Sequence, residues 1–241
     1  MALILSLETS TTICSAALHE DGNLLTSKEL LTPQSASSQL APIIDQLLKD
    51  SKIFSKEINA VAVASGPGSY TGLRIGVATA KGLCFALQIP LISISTLELM
   101  SYQVKYSHIN SSPSPLERGL GGEVSEVLLC PMLDARRMEV YCLLSDLDLN
   151  VVETTQAKII DEGSFKEWLD QKTIYFFGNG TDKCKAIIKH LNARFIEGIN
   201  PSAAQLGEMA FQKFKKNEFE NLSSFEPHYL KEFMVKKPKT V

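Results

Sequence analysis

Residues 65–76 read Ser-Gly-Pro-Gly-Ser-Tyr-Thr-Gly-Leu-Arg-Ile-Gly. Just before them, Val61-Ala62-Val63-Ala64 is a short apolar run suited to a buried strand. After them, Leu73 to Gln88 contains no proline and suits a helix. A glycine-rich turn between a strand and a helix is the junction where α/β proteins place ligands and contacts. Glycines at a helix N-terminus can leave N–H groups free for an anion. The stretch is not a Walker loop, because no Lys-Ser/Thr follows the glycines to hold a phosphate, and its spacing is not Gly-x-Gly-x-x-Gly.

The helix predicted after this turn is unusual around its circumference. Thr71, Arg74, Lys81 and Gln88 share one narrow polar stripe, and nearly everything else is apolar or small. A helix that packs only on its own sheet needs one apolar stripe. Two readings follow: a central core helix, or a helix held between its own sheet and a second protein. Gly72, Gly76 and Ala80 recur every fourth residue and permit close approach by a neighbour. Arg74 and Lys81 interrupt the apolar run, which is too short for a membrane span.

Ser65–Gly76 followed by Val77-Ala78-Thr79-Ala80-Lys81-Gly82-Leu83 resembles the signature of the TsaB (YeaZ) family. Three further stretches are similar to that family in the same order: Glu8-Thr9-Ser10-Thr11, Asp134-Ala135-Arg136-Arg137 with Glu139-Val140-Tyr141, and Pro227-His228-Tyr229-Leu230-Lys231. The resemblance implies an α/β protein of the actin/hexokinase/Hsp70-like superfold, with two small lobes, each a mixed sheet with helices. It implies a non-catalytic partner of TsaD, acting with the ATPase TsaE in threonylcarbamoylation of the tRNA adenosine beside the anticodon (t6A biosynthesis). It implies no cofactor of its own, ATP or ADP at the complex interface, a weak homodimer when alone, and tRNA met through the complex.

The order of elements agrees with that superfold. Residues 3–8, 13–19 and 24–31 read as strands, the last two joined by the hairpin turn Glu20-Asp21-Gly22-Asn23. Residues 36–49 form an amphipathic helix, 91–95 a strand, and Thr96 caps a helix to about residue 104. These make a first lobe over 1–104. Residues 107–123 are rich in Ser, Pro and Gly and read as an exposed insertion. A second lobe over 124–200 has strands at 127–133, 138–144, 151–160 and 173–177, and helices at 164–171 and 181–191. A helix at 202–216 packs back on the first lobe, and 228–241 is a basic tail with Lys231, Lys236, Lys237 and Lys239.

Composition narrows the classes. The 241 residues are 44% hydrophobic, enough for a sizeable core. A net charge of −3 gives no global attraction for nucleic acid or membrane. Five cysteines without a Cys-x-x-Cys pair fit free thiols and a reducing cytoplasm. Met1 to Leu5 reads as a first strand and not a signal peptide. The four histidines have no ligand spacing, so no metal site is expected.

Candidate site residues fall in three groups. The partner interface takes Leu40, Ile44 and Leu47 from the first helix, and Leu73, Arg74, Val77 and Lys81 from the second. Nucleotide or phosphate contact falls to Glu8, Thr9, Ser10, Gly66 and Gly68. Glu8 stands where the family usually carries Asp, and the extra methylene moves the carboxylate. Asp134 and Arg136 offer an inter-lobe polar contact, or a local ion pair in a hairpin turn. Two other functions stay open: a small-molecule kinase or nucleotide hydrolase of the same superfold, and a metallopeptidase-like protein, which lacks the ligands it would need.

Overall fold

A computed structural model describes residues 1–31, 36–109 and 127–231. The expected insertion at 107–123 and the tail beyond Lys231 lie largely outside the described residues. The first sheet runs β3-β2-β1-β4-β5. Its strands are β1 (Leu3–Glu8), β2 (Cys14–Glu20), β3 (Asn23–Leu30), β4 (Ala60–Gly66) and β5 (Leu91–Ser95). The first three pair antiparallel, whereas β4 lies parallel to both β1 and β5. The β2–β3 connection is the tight turn expected, with Glu20 opposite Asn23 and positive φ at Asp21 (49°) and Gly22 (87°).

Strand alternation explains the run Ala60-Val61-Ala62-Val63. Val61 and Val63, with Leu5 and Leu7, face α1 (Ala36–Ser51) and α2 (Tyr70–Leu87). Ala60 and Ala62, with Ile4, face the opposite layer, where α6 (Leu206–Lys215) brings Leu206 and Ala210 against them. The bulky side fills the gap under two crossover helices, and the small side lets α6 approach. His19 fastens this second layer. Its Nε2–H donates to the Ala204 carbonyl (3.1 Å), so the neutral ring accepts from the Ser6 hydroxyl at Nδ1 (3.1 Å). Burial holds its pKa below the ordinary value.

The second sheet, read from its far edge, runs β8-β7-β6-β9-β10. It comprises β6 (Val127–Asp134), β7 (Glu139–Ser145), β8 (Val151–Ile159), β9 (Thr173–Phe177) and β10 (Ala193–Ile196). Order and strand directions repeat those of the first sheet, so the two lobes share one topology. Their crossover segments differ. The expected helices at 164–171 and 181–191 reduce to α4 (Lys166–Leu169) and α5 (Thr181–Cys184), with Leu169, Cys184 and Ile188 buried in the second core. β10 has four residues and escaped sequence reading.

One helix belongs to both lobes. In α3 (Thr96–Val104), Leu99 packs against the first sheet, while Leu97, Met100 and Val104 pack against the second. Its cap is Ser95, whose Oγ accepts from the Glu98 N–H (3.4 Å); Thr96 is already the first helical residue and is buried.

Candidate functional site: the α2 face and the inter-lobe edge

The glycines of the signature serve an internal fit. Thr9 Oγ1 donates to the Gly72 carbonyl (2.8 Å), and Ser69 N–H donates to the Ser10 carbonyl (2.6 Å). A Cβ on Gly72 would overlap the Thr9 carbonyl oxygen, one on Gly76 the Thr9 hydroxyl, and one on Gly68 the Ser10 backbone. The β1–β2 turn therefore packs directly against the glycine-rich turn and the first turns of α2. The structure does bring Glu8, Thr9, Ser10, Gly66 and Gly68 together. Glu8, Thr9, Ser10 and Gly66 are buried, the Ser10 carbonyl accepts from the Ser69 N–H, and the Thr9 carbonyl lies where a Cβ on Gly72 would sit.

Glu8 is the chemical oddity of this junction. Its Oε1 accepts from the Ser10 N–H, while Oε2 and the Ser10 hydroxyl have no partner among the described residues. Burial raises its pKa to about 7, opposed by the adjacent Ser10. A carboxyl raised in the folded state adds stability that is complete below pH 4.5 and is lost as pH rises through about 7. Glu8→Gln removes the ionisation. The variant should therefore outlast the parent at pH 8 by on the order of 3 kcal/mol, and the two should converge near pH 4. Urea unfolding at both pH values checks this; an equal gap at the two would refute it.

The predicted interface residues divide by burial. Leu40, Ile44, Leu47, Leu73 and Val77 are all at most 6% exposed. Apart from Leu73, which is buried against Gly66, they join the cluster with Leu5, Leu7, Val61 and Val63. They are core, not docking surface, because the sheet lies on the side of the helices that carries them. A charge at Val77 would be buried in the protein's own interior. Arg74 is exposed, with its guanidinium on the Tyr70 hydroxyl (2.9 Å). Lys81 is half-buried and donates to the Phe225 carbonyl (3.0 Å).

The exposed side of α2 presents a different row: Arg74, Ala78, Gly82, Phe85 and Ala86. Phe85 is 72% exposed, and the space above Gly82 is open to at least 4 Å. This second series at intervals of four, 78-82-86, was present in the sequence alongside 72-76-80. The wheel alone does not say which of them faces the sheet. Exposed positions on α1 include Ala41, Pro42 and Asp45.

Asp134 and Arg136 likewise take local roles. Asp134 pairs with Lys183, accepts from the Arg136 N–H (3.0 Å), and its own N–H donates to Asn179 Oδ1 (2.9 Å). Lys183 also donates to the carbonyls of Arg137 (2.9 Å) and Glu139 (2.6 Å), closing the turn. Polar contacts toward the second lobe are made by Lys231 with Glu139 and by Lys105 with Asp148 (3.7 Å). Lys231 ends a segment that crosses from the first lobe. Within it, His228 N–H donates to the Ser65 carbonyl (2.7 Å), and the Tyr229 ring lies 4.8 Å from that of Tyr70. Sequence reading missed Lys183 and the role of Lys231, since their partners lie 49 and 92 residues away.

Among the described residues, no three His, Cys, Asp or Glu side chains are grouped to hold a metal ion, and no helix is long and apolar enough to cross a membrane.

Two five-stranded mixed sheets of one topology, sharing a central helix, define a member of the actin/hexokinase/Hsp70-like superfold. The solved structure of YeaZ from Pseudomonas aeruginosa has this fold, with TM-score 0.77 at 24% identity, covering 95% of this chain and 100% of that one. The family model for TsaD, tRNA N6-adenosine threonylcarbamoyltransferase, matches residues 31–241. TsaB, the tRNA threonylcarbamoyladenosine biosynthesis protein of Escherichia coli, is 28% identical over 238 residues, 95% of this chain and 94% of that protein. The corresponding Bacillus subtilis protein is 27% identical over 238 residues, with 95% and 93% covered. The chain belongs to the TsaD family, in its TsaB (YeaZ) branch.

Proposed function

We propose that this chain is the non-catalytic, docking subunit of a threonylcarbamoylating complex, with TsaD as its direct partner and TsaE as the accessory ATPase. The observation that carries this reading is the outer row of α2. Small residues at 78, 82 and 86 leave a shallow track in which a partner helix can approach closely, with Phe85 as an aromatic anchor beside it. A partner's helix covers this track in the working complex. Two copies of the chain pair weakly through the same row when the partner is absent, so homodimer and heterodimer compete. The closed β1–β2 turn supports a role in binding and not in phosphoryl transfer. The setting is the cytoplasm, in keeping with five buried free thiols.

Reconstitution tests this directly. TsaD, TsaE, tRNA and the threonylcarbamoyl donor should give modified adenosine only when this chain is added, and the chain without TsaD should give none. Modification by the chain alone, or a TsaD rate unaffected by it, would refute the reading.

A further inference from the structure

A cationic edge with an aromatic pair at its centre runs across the mouth between the lobes, and nothing in docking through α2 uses all of it. It begins at Arg74 on α2, whose guanidinium touches the Tyr70 hydroxyl and lies 5.3 Å from the Tyr70 ring. Tyr70 pairs with Tyr229 of the C-terminal segment, and two residues on Lys231 meets Glu139 of the second lobe. The Glu139 N–H donates to the Arg136 carbonyl (3.2 Å), which places Arg136 next along the edge. Arg136 and Arg137 are exposed, and no carboxylate lies within ion-pair distance of either among the described residues. Both hold positive φ, 69° and 47°, without being glycine. Such backbone is costly and persists where surrounding contacts enforce it. Here Lys183 enforces it, by gripping Asp134 and the carbonyls of Arg137 and Glu139. Three acids lie along the edge: Asp134, which is paired to Lys183, Glu139, which is paired to Lys231, and the exposed Glu226 beside Tyr229. The balance stays positive in a chain whose net charge is −3, and the sequence continues past Lys231 with Lys236, Lys237 and Lys239.

We propose that this edge, from Arg74 through Tyr70/Tyr229 to Arg136 and Arg137, is a direct contact for the RNA backbone, so that the chain touches tRNA itself. Exposed guanidiniums neutralise phosphates, and the tyrosine pair gives an unpaired base a stacking face. The proposal rests on the t6A reading above for the identity of the RNA. Its chemistry is sequence-independent: charge and stacking, with no base-edge readout.

The test is tRNA binding by the heterodimer with TsaD, followed by fluorescence anisotropy from about 50 to about 200 mM salt. Arg136→Gln/Arg137→Gln should bind TsaD as the parent does, bind tRNA about tenfold more weakly at low salt, and make the salt dependence shallower by about 1–2 in the log–log slope. Tyr229→Leu should weaken binding about tenfold with the slope unchanged. Curves for the arginine variant that superimpose on the parent would overturn the proposal and leave the docking function standing. Loss of TsaD by that variant would also overturn it, showing a protein contact. A parent heterodimer that neither binds nor modifies tRNA would refute the t6A reading, and the RNA edge with it.

Discussion

Gly72→Ala should destabilise the protein by about 2–4 kcal/mol, while Gly82→Ala, ten residues on in the same helix, should stabilise it by about 0.5–1 kcal/mol. Helix propensity favours alanine equally at both sites, so the sign is set by what the new methyl meets. At Gly72 it meets the Thr9 carbonyl oxygen, a backbone atom that cannot rotate away and that is fixed by the buried bond from Thr9 Oγ1 to the Gly72 carbonyl. At Gly82 it meets nothing within 4 Å. Forced overpacking outweighs a propensity gain of about 1 kcal/mol. Denaturant unfolding of both variants checks the contrast. Effects of the same sign would show that the glycine-rich turn is not held by the β1–β2 turn.

Phe85→Asp should leave the fold intact and remove binding to TsaD. The ring is 72% exposed, so little of the protein's own core depends on it. In the proposed complex it would be an aromatic anchor on a small-residue track, the kind of side chain whose loss costs about 2 kcal/mol or more. A buried aspartate without a partner adds a desolvation cost. Affinity should fall at least about thirtyfold while thermal melting shifts little. Wild-type affinity in a folded variant would exclude this side of α2.

The β4–α2–β5 unit was legible in the sequence because its signals agree: a Val/Ala alternation, glycines at the junction and an uninterrupted helical run. β5 lies at 91–95, as its apolar run predicts. The exposed apolar side of α2 was legible as a property and not as a set of residues. Apolar excess around α2 is real, but helical periodicity does not locate the sheet, and Val77 and Leu73 proved to be on the inner side. The same limit applies to Leu40, Ile44 and Leu47, whose stripe is the ordinary core face of an amphipathic helix. The Gly66–Gly76 stretch looked like a ligand loop because close backbone approach calls for glycine whether the approaching atoms are phosphate or the chain's own Thr9 and Ser10. Local rules placed the hairpin of Asp134 and Arg136. They could not place Lys183 or Lys231, which come to it through tertiary structure alone.

TsaD should cover the outer side of α2 in the complex. All five native cysteines are buried, so Ala78→Cys introduces one accessible thiol in the middle of the proposed track. Its rate of alkylation should be that of an exposed thiol in the isolated chain and should fall by at least about tenfold when TsaD is added in excess. Alkylation at the same rate with and without TsaD, under conditions where the two proteins co-sediment, would contradict the account.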